Sequence, residues 1–462
     1  MADESYDLVV LGGGSGGYAT ALRAAQLGKR VALVERDSRL GGTCLLRGCV
    51  PTKALLESAA LMDRVRRSAE WGIAAEGSVD WRKVLEFERG IVDKKVSGLT
   101  GLVKTRGVQV VQGEGRLEAG PEGPAVRVGD QRISAADVVL ATGSFAKLLP
   151  GLEVTERILT SDQALELPTL PSSIVIIGSG AVGVEWASMY RSFGLEVTVL
   201  EALPRIIPLE DEDSSKELAR AFRRRGIQTF PGVTVQEVRE AGDHVEVTYE
   251  NGSGASTVSA DVCLVAVGRG PVTSGFGLEE AGVELDRGYV KVDRGLRSSV
   301  PHVFAVGDVA STPLQFAHAA FLEGMTVAER TAGLEPPEID YAAVPRVTFS
   351  TPEVASVGLT EAQARERGHD VEVRPFNFQV LAKANIVGEG GLCKVVAERD
   401  GPVLGVHMVG PHVTDLISEA MLMVGWEAAP AEVAALVHPH PTLSEALGEA
   451  MLALAGKPLH IP

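Results

Sequence analysis

A strand, a glycine turn, a helix and a second strand occur in this order twice along the chain, and this repeated unit restricts the fold more than any other feature. The first copy ends at Glu35 and the second at Glu201, each at the same distance from its first glycine. Both copies fit G-x-G-x-x-G, with Gly12, Gly14 and Gly17 in the first and Gly178, Gly180 and Gly183 in the second. Such a unit is typical of a βαβ dinucleotide-binding fold, so the chain is predicted to contain two.

Each position of the glycine pattern has its own physical role. The first glycine permits a tight turn, the second lets a pyrophosphate approach the backbone, and the third lets helix and strand pack closely. The closing glutamates can accept hydrogen bonds from a ribose, and a carboxylate at Glu201 repels a 2′-phosphate, which predicts NAD(H) rather than NADP(H) in the second fold. A single glycine pattern is weak, but here each copy is also followed by a buried strand and glycine turn, ending at Gly143 and Gly268.

The composition limits the class of protein and its partners. The chain has 462 residues, of which 45% are hydrophobic, and a formal net charge of -17. The acidic balance argues against nucleic acid and anionic membranes as partners, and the apolar stretches are too short to span a bilayer. The start MADESYDLVVL is acidic and leads directly into a strand, so we expect no signal peptide and a cytoplasmic location.

Two of the four cysteines, Cys44 and Cys49, lie within GGTCLLRGCVPTK. The pair is a structural disulfide, part of a metal site, or a redox dithiol. A reducing location disfavours the first. A metal site needs about four ligands, yet Cys263 lies in an apolar strand and Cys393 is isolated, so we predict no metal and favour the dithiol. Residues five apart on a regular helix point about 140° apart, so this segment must depart from an ideal helix, and Gly48 and Pro51 are suited to that.

A third acidic residue follows a strand in HVFAVGDVAS. Two adjacent dinucleotide folds suggest one tightly held redox cofactor and one exchangeable nicotinamide. Asp308, at the end of this strand, could bind polyol hydroxyls such as those of the ribityl chain of FAD. The alternative is an ordinary turn or helix-cap aspartate.

The motifs GGGSGG, GGTCLLRGCVPTK, LATGS, GSGAVGVE, AVGRGP, AVGDV and HPHPTLSEA occur in this order over nearly the whole chain. In this set the chain resembles the pyridine nucleotide-disulfide oxidoreductases, and among them the dihydrolipoamide dehydrogenases. The resemblance implies an α/β protein with two Rossmann-like domains, for FAD and NAD, and a C-terminal α+β dimerisation domain. The expected ranges are 1–150 for FAD binding, 151–273 for NAD binding, 274–345 for a central domain that completes the FAD site, and 346–462 for the interface domain.

The resemblance also implies two sets of cofactor-binding residues. The FAD set comprises Gly12, Gly14, Gly17, Glu35, Gly42, Thr43, Lys53, Gly115, Thr142, Gly143, Asp308 and Ala317. The NAD set comprises Gly178, Gly180, Val182, Gly183, Glu201, Val235, Gly268 and Arg269.

The resemblance assigns different roles to the two thiols. It implies that Cys49 lies against the flavin and that Cys44 is the interchange thiol that faces substrate. Lys53 is expected near the flavin ring, paired with Glu185, although it could also be a surface lysine. LLR stands where the family usually has an asparagine-valine pair, and Arg47 could either lower a thiol pKa or point to solvent.

The segment LVHPHPTLSEALGEAMLALAG offers a proton-transfer group. Disulfide exchange needs a base for the incoming thiol, and imidazole, with an ordinary pKa of about 6.5, is suited to this. The resemblance implies His440 as that base, rather than His438, with Glu445 orienting it. Because Thr442-x-x-Glu445 also fits a capping box, Glu445 is expected to serve one role or the other, the two being difficult to combine in one carboxylate.

The resemblance implies oxidation of protein-bound dihydrolipoamide by NAD+, through a Cys44–Cys49 disulfide and FAD. The expected partners are a second copy of the chain, with each site built from both subunits, and the lipoyl domains and acyltransferase core of 2-oxo acid dehydrogenase complexes or a lipoylated glycine-cleavage protein. Alternatives are a related NAD(P)H-dependent reductase with another substrate and a non-catalytic flavin redox sensor. Glu201 disfavours glutathione-type reductases, because these favour NADPH. Mercuric reductases are disfavoured because they carry a C-terminal cysteine pair, whereas no cysteine follows Cys393 in this sequence.

Overall fold

The chain forms two units in a computed structural model, which describes residues 4–120, 123–252 and 254–461. Unit 1 comprises Met1–Leu55, Arg82–Lys147 and Arg269–Tyr341, and unit 2 comprises Leu56–Trp81, Leu148–Gly268 and Ala342–Pro462. Residues 1–3, 121–122, 253 and 462, which belong to the predicted domain ranges, lie outside the described residues.

Strands and helices follow one another along most of the chain. The first are β1 (Glu4–Leu11), α1 (Ser15–Gln26), β2 (Val31–Glu35), α2 (Gly42–Arg47), α3 (Cys49–Arg67), α4 (Trp81–Thr105), β3 (Gln109–Gln112), β4 (Gly115–Glu118), β5 (Ala125–Val128), β6 (Gln131–Leu140), β7 (Ser144–Ala146), β8 (Ile158–Leu159) and α5 (Ser161–Ala164). Then follow β9 (Ser173–Ile177), α6 (Ala181–Phe193), β10 (Glu196–Glu201), α7 (Glu212–Arg225), β11 (Gln228–Pro231), β12 (Thr234–Ala241), β13 (His244–Asn251), β14 (Gly254–Ala260), β15 (Val262–Val265), β16 (Arg269–Pro271), β17 (Leu285–Asp286), β18 (Tyr289–Val290), β19 (Val303–Ala305) and α8 (Ala317–Thr331). The last are β20 (Arg346–Thr348), β21 (Glu353–Gly358), α9 (Glu361–Glu366), β22 (Val371–Asn377), α10 (Ala382–Val387), β23 (Leu392–Glu398), β24 (Val403–Gly410), α11 (Val413–Gly425), α12 (Pro430–Val433) and α13 (Glu445–Leu454).

The first glycine unit opens the main sheet of unit 1. Its strand order is β3-β2-β1-β6, with β19 also beside β6, and all these pairs are parallel. Along β1, Leu8 and Val10 face one hydrophobic cluster while Val9 and Leu11 face another. Because helices and loops bury both faces of the sheet, the strand reads as an uninterrupted apolar run instead of an alternating one.

The second glycine unit opens a matching sheet in unit 2. The strand order is β11-β10-β9-β15-β8, and these pairs are parallel as well. In both units, antiparallel strands precede the last of the central parallel strands along the chain: β4 and β5 before β6 in unit 1, and β12, β13 and β14 before β15 in unit 2. The two repeats of the sequence therefore share the order of their four central parallel strands, β3-β2-β1-β6 and β11-β10-β9-β15.

The last part of unit 2 is an antiparallel sheet with the order β20-β21-β24-β23-β22. Helices α11 and α13 pack on it through one large hydrophobic cluster that includes Ile417, Leu447 and Met451. The apolar face of α13 is buried within the chain.

The predicted fold class is confirmed: two doubly wound dinucleotide-binding folds are followed by a C-terminal α+β region. The boundaries at residues 150, 273 and 345 stay a prediction. Among the residues that the structure describes, no helix is both long and apolar enough to cross a membrane.

Candidate functional site

The two glycine turns have the same geometry. The φ angle is +112° at Gly12 and +100° at Gly178, a region that favours glycine. A Cβ atom at Gly12 would lie 2.2 Å from a carbonyl oxygen just beyond β6, and one at Gly178 would lie 2.4 Å from a carbonyl oxygen just beyond β15. A Cβ atom at Gly17 would lie 1.8 Å from the carbonyl oxygen of Gly12, and the corresponding distance at Gly183 is 2.0 Å. The first and third glycines are therefore required by backbone packing alone.

The second glycine of each pattern lies in a different environment. Gly14 and Gly180 are the N-caps of α1 and α6, and both have extended backbones. A Cβ atom at Gly180 would meet nothing within 4 Å, and one at Gly14 would only make ordinary contact with the Cα atom of Gly42 at 3.7 Å. Each therefore leaves open space before the unpaired N–H groups of a helix N-terminus, which is suited to a pyrophosphate.

The two closing glutamates accept equivalent hydrogen bonds. Glu35 accepts from the backbone N–H groups of Gly13 at 2.7 Å and Asp37 at 2.8 Å. Glu201 accepts from the N–H of Ser179 at 2.8 Å, from its hydroxyl at 2.7 Å, and from the N–H two residues beyond Glu201 at 2.8 Å. Both carboxylates are buried at the ends of β2 and β10. Each is held beside its glycine turn, where a ribose would follow the pyrophosphate.

The predicted FAD residues all belong to unit 1. Gly42 and Thr43 begin α2, Lys53 lies on α3, Gly115 begins β4, and Ala317 begins α8. Their environments differ. The hydroxyl of Thr142 already donates to the carbonyl oxygen of Val272 at 2.6 Å, whereas Gly143 has a φ of +78° and open space at its Cβ position. A Cβ at Gly115 would clash with buried side chains, so packing alone requires this glycine.

Asp308 lies in a short 3-10 turn directly after β19, as the sequence predicts. Its carboxylate accepts a hydrogen bond from the hydroxyl of Ser144 at 2.5 Å. Arg269 donates to the hydroxyl and the carbonyl oxygen of Ser144 at 2.7 and 2.8 Å, and its Nε atom lies 4.0 Å from the Asp308 carboxylate. The structure thus brings Arg269, a predicted NAD residue, together with a predicted FAD residue.

The other predicted NAD residues belong to unit 2. Val182 is 37% exposed in the first turn of α6, and Gly268 is exposed beyond β15. Val235 on β12 instead packs against a hydrophobic cluster. Glu185 is buried on α6, where its carboxylate accepts the N–H of Phe349 at 2.9 Å. Its pairing with Lys53 stays a prediction.

The two cysteines lie on either side of a break between helices. Cys44 belongs to α2, Cys49 is the first residue of α3, and Gly48 between them has a φ of -144° and a ψ of -109°, which is not helical. The predicted departure from an ideal helix is confirmed. No disulfide joins the two residues in this structure, and their side chains form a hydrogen bond.

A hydrogen bond joins the side chains of Cys44 and Cys49. It is the largest cause that raises the pKa of Cys44 far above its ordinary value, and burial and the charge of Cys49 act in the same direction. A hydrogen bond from Ser15 and the charge of Lys53 act in the opposite direction. Arg47, whose side chain is 39% exposed, forms an ion pair with Asp37, and its effect on the dithiol stays a prediction.

His440 and Glu445 form a pair at the start of α13. The Nδ1 atom of His440 lies 2.8 Å from Oε1 of Glu445, and Oε2 of Glu445 accepts the N–H of Thr442 at 2.9 Å. Helix α13 begins at Glu445 with Ser444 as its N-cap, so the capping box that Thr442-x-x-Glu445 could form is not present. The orienting role of Glu445 stays a prediction. Burial favours the neutral form of Glu445, but the Thr442 N–H and His440 outweigh it and lower the pKa of Glu445 below its ordinary value.

The sequence did not single out two residues near the dithiol, nor the partner of the second histidine. Ser15 hydrogen-bonds Cys44, and burial, followed by the charges of Cys44 and Cys49, raises the pKa of Tyr18 to about 12. His438, which is not the predicted base, pairs with Glu419 at 2.7 Å. Ser15 and Tyr18 lie in or beside the first glycine pattern, but no spacing in the sequence connects them to the dithiol. The start of α2 lies beside the first glycine turn, where the N–H of Gly41 donates to the carbonyl oxygen of Gly13 at 2.9 Å, and this contact brings them together.

Two dinucleotide-binding folds, a dithiol at a helix break and a histidine–glutamate pair together define a class of oxidoreductases that act on disulfides. The chain belongs to the pyridine nucleotide-disulphide oxidoreductase family: the family model matches residues 6–324, and the model of its dimerisation domain matches residues 344–451.

Individual relatives agree with this family. The chain is 43% identical to a dihydrolipoyl dehydrogenase of Bacillus subtilis, covering 100% of both chains, and 38% identical to one of Corynebacterium glutamicum, covering 98% of both. The crystal structure of LpdA from Mycobacterium tuberculosis superimposes with a TM-score of 0.90 at 28% identity, covering 98% of this chain and 99% of LpdA. The HOCl-induced flavoprotein disulfide reductase RclA from Escherichia coli gives a TM-score of 0.86 at 26% identity, covering 96% and 99%.

Proposed function

We propose that this chain is a dihydrolipoyl dehydrogenase, which oxidises protein-bound dihydrolipoamide with NAD+ and uses FAD as its redox cofactor. The hydrogen-bonded dithiol of Cys44 and Cys49 carries the proposal, because it is a two-electron group in a chain with two dinucleotide-binding folds. The dihydrolipoyl dehydrogenases among the relatives, identical at 38–43% over nearly their full length, support the substrate.

FAD is assigned to unit 1 and NAD to unit 2. The open space before α1, the buried Glu35 and the Asp308 turn fit FAD, and the equivalent features before α6 and at Glu201 fit NAD. The chemistry that FAD supplies when bound is the transfer of two electrons between the dithiol and NAD+. Because Glu201 would face a 2′-phosphate, the nicotinamide is NAD+ rather than NADP+.

The chain's own thiols exchange with the substrate in two steps. In the oxidised protein, one substrate thiolate attacks the Cys44 sulfur of the Cys44–Cys49 disulfide, forming a mixed disulfide and releasing the Cys49 thiolate. The second substrate thiol then attacks the sulfur bound to Cys44, releasing Cys44 and leaving the substrate as a disulfide. The substrate loses two electrons and two protons, and the dithiol gains the electrons. In this proposal Cys44 takes up a proton on release.

His440, oriented by Glu445, is the base that takes the proton from the incoming thiol. In this proposal the chain is a homodimer, and His440 of the partner subunit completes each site. Mixing Cys44→Ser with His440→Gln tests the shared site: in a heterodimer one site receives both defects and the other receives neither. Activity approaching half of the wild-type value per heterodimer is expected. Verified heterodimers without activity contradict a site shared between subunits.

The activity itself is tested by the appearance of NADH from dihydrolipoamide and NAD+. Wild-type protein should be active and Cys44→Ser inactive, with equal FAD content. Turnover of NADPH with glutathione disulfide, but not of dihydrolipoamide, would instead support a reductase with another substrate. An intact flavoprotein without either activity would support the redox sensor.

The docking partners proposed are lipoyl domains and the acyltransferase core of a 2-oxo acid dehydrogenase complex, or a lipoylated glycine-cleavage protein. The net charge of -17 favours a basic patch on the partner, so affinity should fall as salt concentration rises. An affinity that does not change with salt argues against electrostatic docking. We also propose the domain ranges 1–150 for FAD binding, 151–273 for NAD binding, 274–345 for the central domain and 346–462 for the interface domain.

A further inference from the structure

A buried glutamate on α8 has no part in the chemistry proposed above. Glu323 is fully buried, and its two carboxylate oxygens accept separate hydrogen bonds. Oε2 accepts the backbone N–H of Gly307 at 2.6 Å, and Oε1 accepts the hydroxyl of Tyr341 at 2.8 Å. Because a buried carboxylate without such donors is costly, the N–H of Gly307 and this side chain constrain each other.

The Gly307 N–H belongs to the 3-10 turn Gly307–Val309 that presents Asp308. Gly307 has a φ of +70°, and it connects β19 to this turn. Ser144 binds the Asp308 side chain, while Glu323 binds the backbone one residue earlier. The position of the Asp308 carboxylate is therefore determined from two directions: through its own side chain and through the peptide that precedes it.

The residue after Glu323 connects the same helix to the first glycine pattern. A Cβ atom at Gly324 would lie 2.5 Å from the carbonyl oxygen of Gly16 and 2.8 Å from the hydroxyl of Thr20, so α8 touches the backbone of α1 there. Burial raises the pKa of Glu323, while the Gly307 N–H and Tyr341 oppose this shift. Adjacent residues of α8 thus contact the pyrophosphate-binding helix and the Asp308 turn.

We infer that Glu323 is a positioning residue for the cofactor of unit 1: its carboxylate holds the Gly307 peptide and thereby aims Asp308 at bound FAD. The inference rests on the proposed function, in which Asp308 contacts FAD. Tyr341 donates to the other oxygen of Glu323, and the side chain of Thr312 also hydrogen-bonds this carboxylate.

The test compares substitutions in the full-length protein, with the Kd for FAD measured by titrating deflavinated protein. Glu323→Leu removes the acceptor and leaves the Gly307 N–H buried without a partner, so the Kd should rise about 10- to 100-fold. Glu323→Gln keeps an amide oxygen for Gly307, because Tyr341 can turn its hydroxyl to accept from the amide nitrogen. Its Kd should stay within about threefold of the wild-type value.

Val327→Ala is the matched control, since Val327 is fully buried on the same helix but has no polar atom that could hold the Gly307 N–H. It should lower the melting temperature through a cavity without changing the Kd for FAD. If Glu323→Leu and Val327→Ala have the same Kd, or if Glu323→Gln is as weak as Glu323→Leu, the positioning role is overturned. Failure of wild-type protein to bind FAD would instead refute the proposed function, and this outcome is distinct from both.

Discussion

In the second glycine pattern, Gly180 and Gly183 have different roles, and alanine substitutions should separate these roles. An alanine Cβ at position 183 would lie 2.0 Å from the carbonyl oxygen of Gly178. Ordinary contact needs about 3.4 Å, so α6 would have to move by about 1.4 Å from β9, although its residues Trp186 and Tyr190 are fully buried. Such overpacking costs about 1–3 kcal/mol, and we expect Gly183→Ala to lower the melting temperature by several degrees.

Gly180→Ala should have the opposite profile. The backbone at Gly180 is extended with a φ of -67°, and its Cβ would meet nothing within 4 Å. Alanine is a poorer N-cap than glycine, but it also reduces the entropy of the unfolded chain, so the two effects leave the free energy of unfolding within about 0.5 kcal/mol. The added methyl group would occupy the space before α6, and we expect the Kd for NAD+ to rise more than about tenfold.

Both measurements use the full-length, FAD-loaded protein, with calorimetric melting for stability and isothermal titration for NAD+. The two variants should have separate effects: Gly183→Ala loses stability, and Gly180→Ala loses NAD+ affinity at unchanged stability. Wild-type NAD+ affinity in Gly180→Ala would refute the assignment of this turn to the nicotinamide cofactor. A wild-type melting temperature in Gly183→Ala would refute the packing argument.

Three further predictions concern charged and titratable groups. Wild-type protein should prefer NAD+ over NADP+ in kcat/KM, and Glu201→Ala should narrow the difference because the carboxylate that repels a 2′-phosphate is gone; a preference for NADP+ in the wild type contradicts this. Cys49→Ala should lower the pKa of Cys44, so that alkylation of Cys44 by iodoacetamide, followed by mass spectrometry, begins at lower pH than in reduced wild-type protein. Arg47→Met should leave this pH profile of alkylation unchanged. An unshifted pH profile in Cys49→Ala disproves the hydrogen-bond effect. Glu445→Gln should lower the free energy of unfolding at neutral pH, as measured by urea unfolding. This difference from the wild type should disappear as the pH falls through the folded pKa of Glu445, which lies below its ordinary value of about 4.3. A difference that persists in acid argues against an ionised Glu445.

The sequence alone was sufficient for the features that depend on short spacings. The third glycines, Gly17 and Gly183, must clear a carbonyl oxygen five residues earlier, in Gly12 and Gly178, which is a local steric condition visible in the pattern itself. The break at Gly48 follows in the same way from two thiols that must meet, although residues five apart on a regular helix point about 140° apart.

Tertiary structure decided the contacts between distant segments. Glu445 was predicted to orient a histidine or to form a capping box, but α13 begins at Glu445 itself, so the capping box is not present and the two carboxylate oxygens contact the histidine and a backbone N–H. Arg47 was expected to affect a thiol or face solvent, and the sequence did not indicate Asp37, which the turn after β2 brings to it. The hydrogen bond from Gly307 to Glu323 closes only because α8 packs back over the turn after β19. These contacts depend on how helices and strands pack together, and no periodic pattern in the intervening sequence indicates that packing.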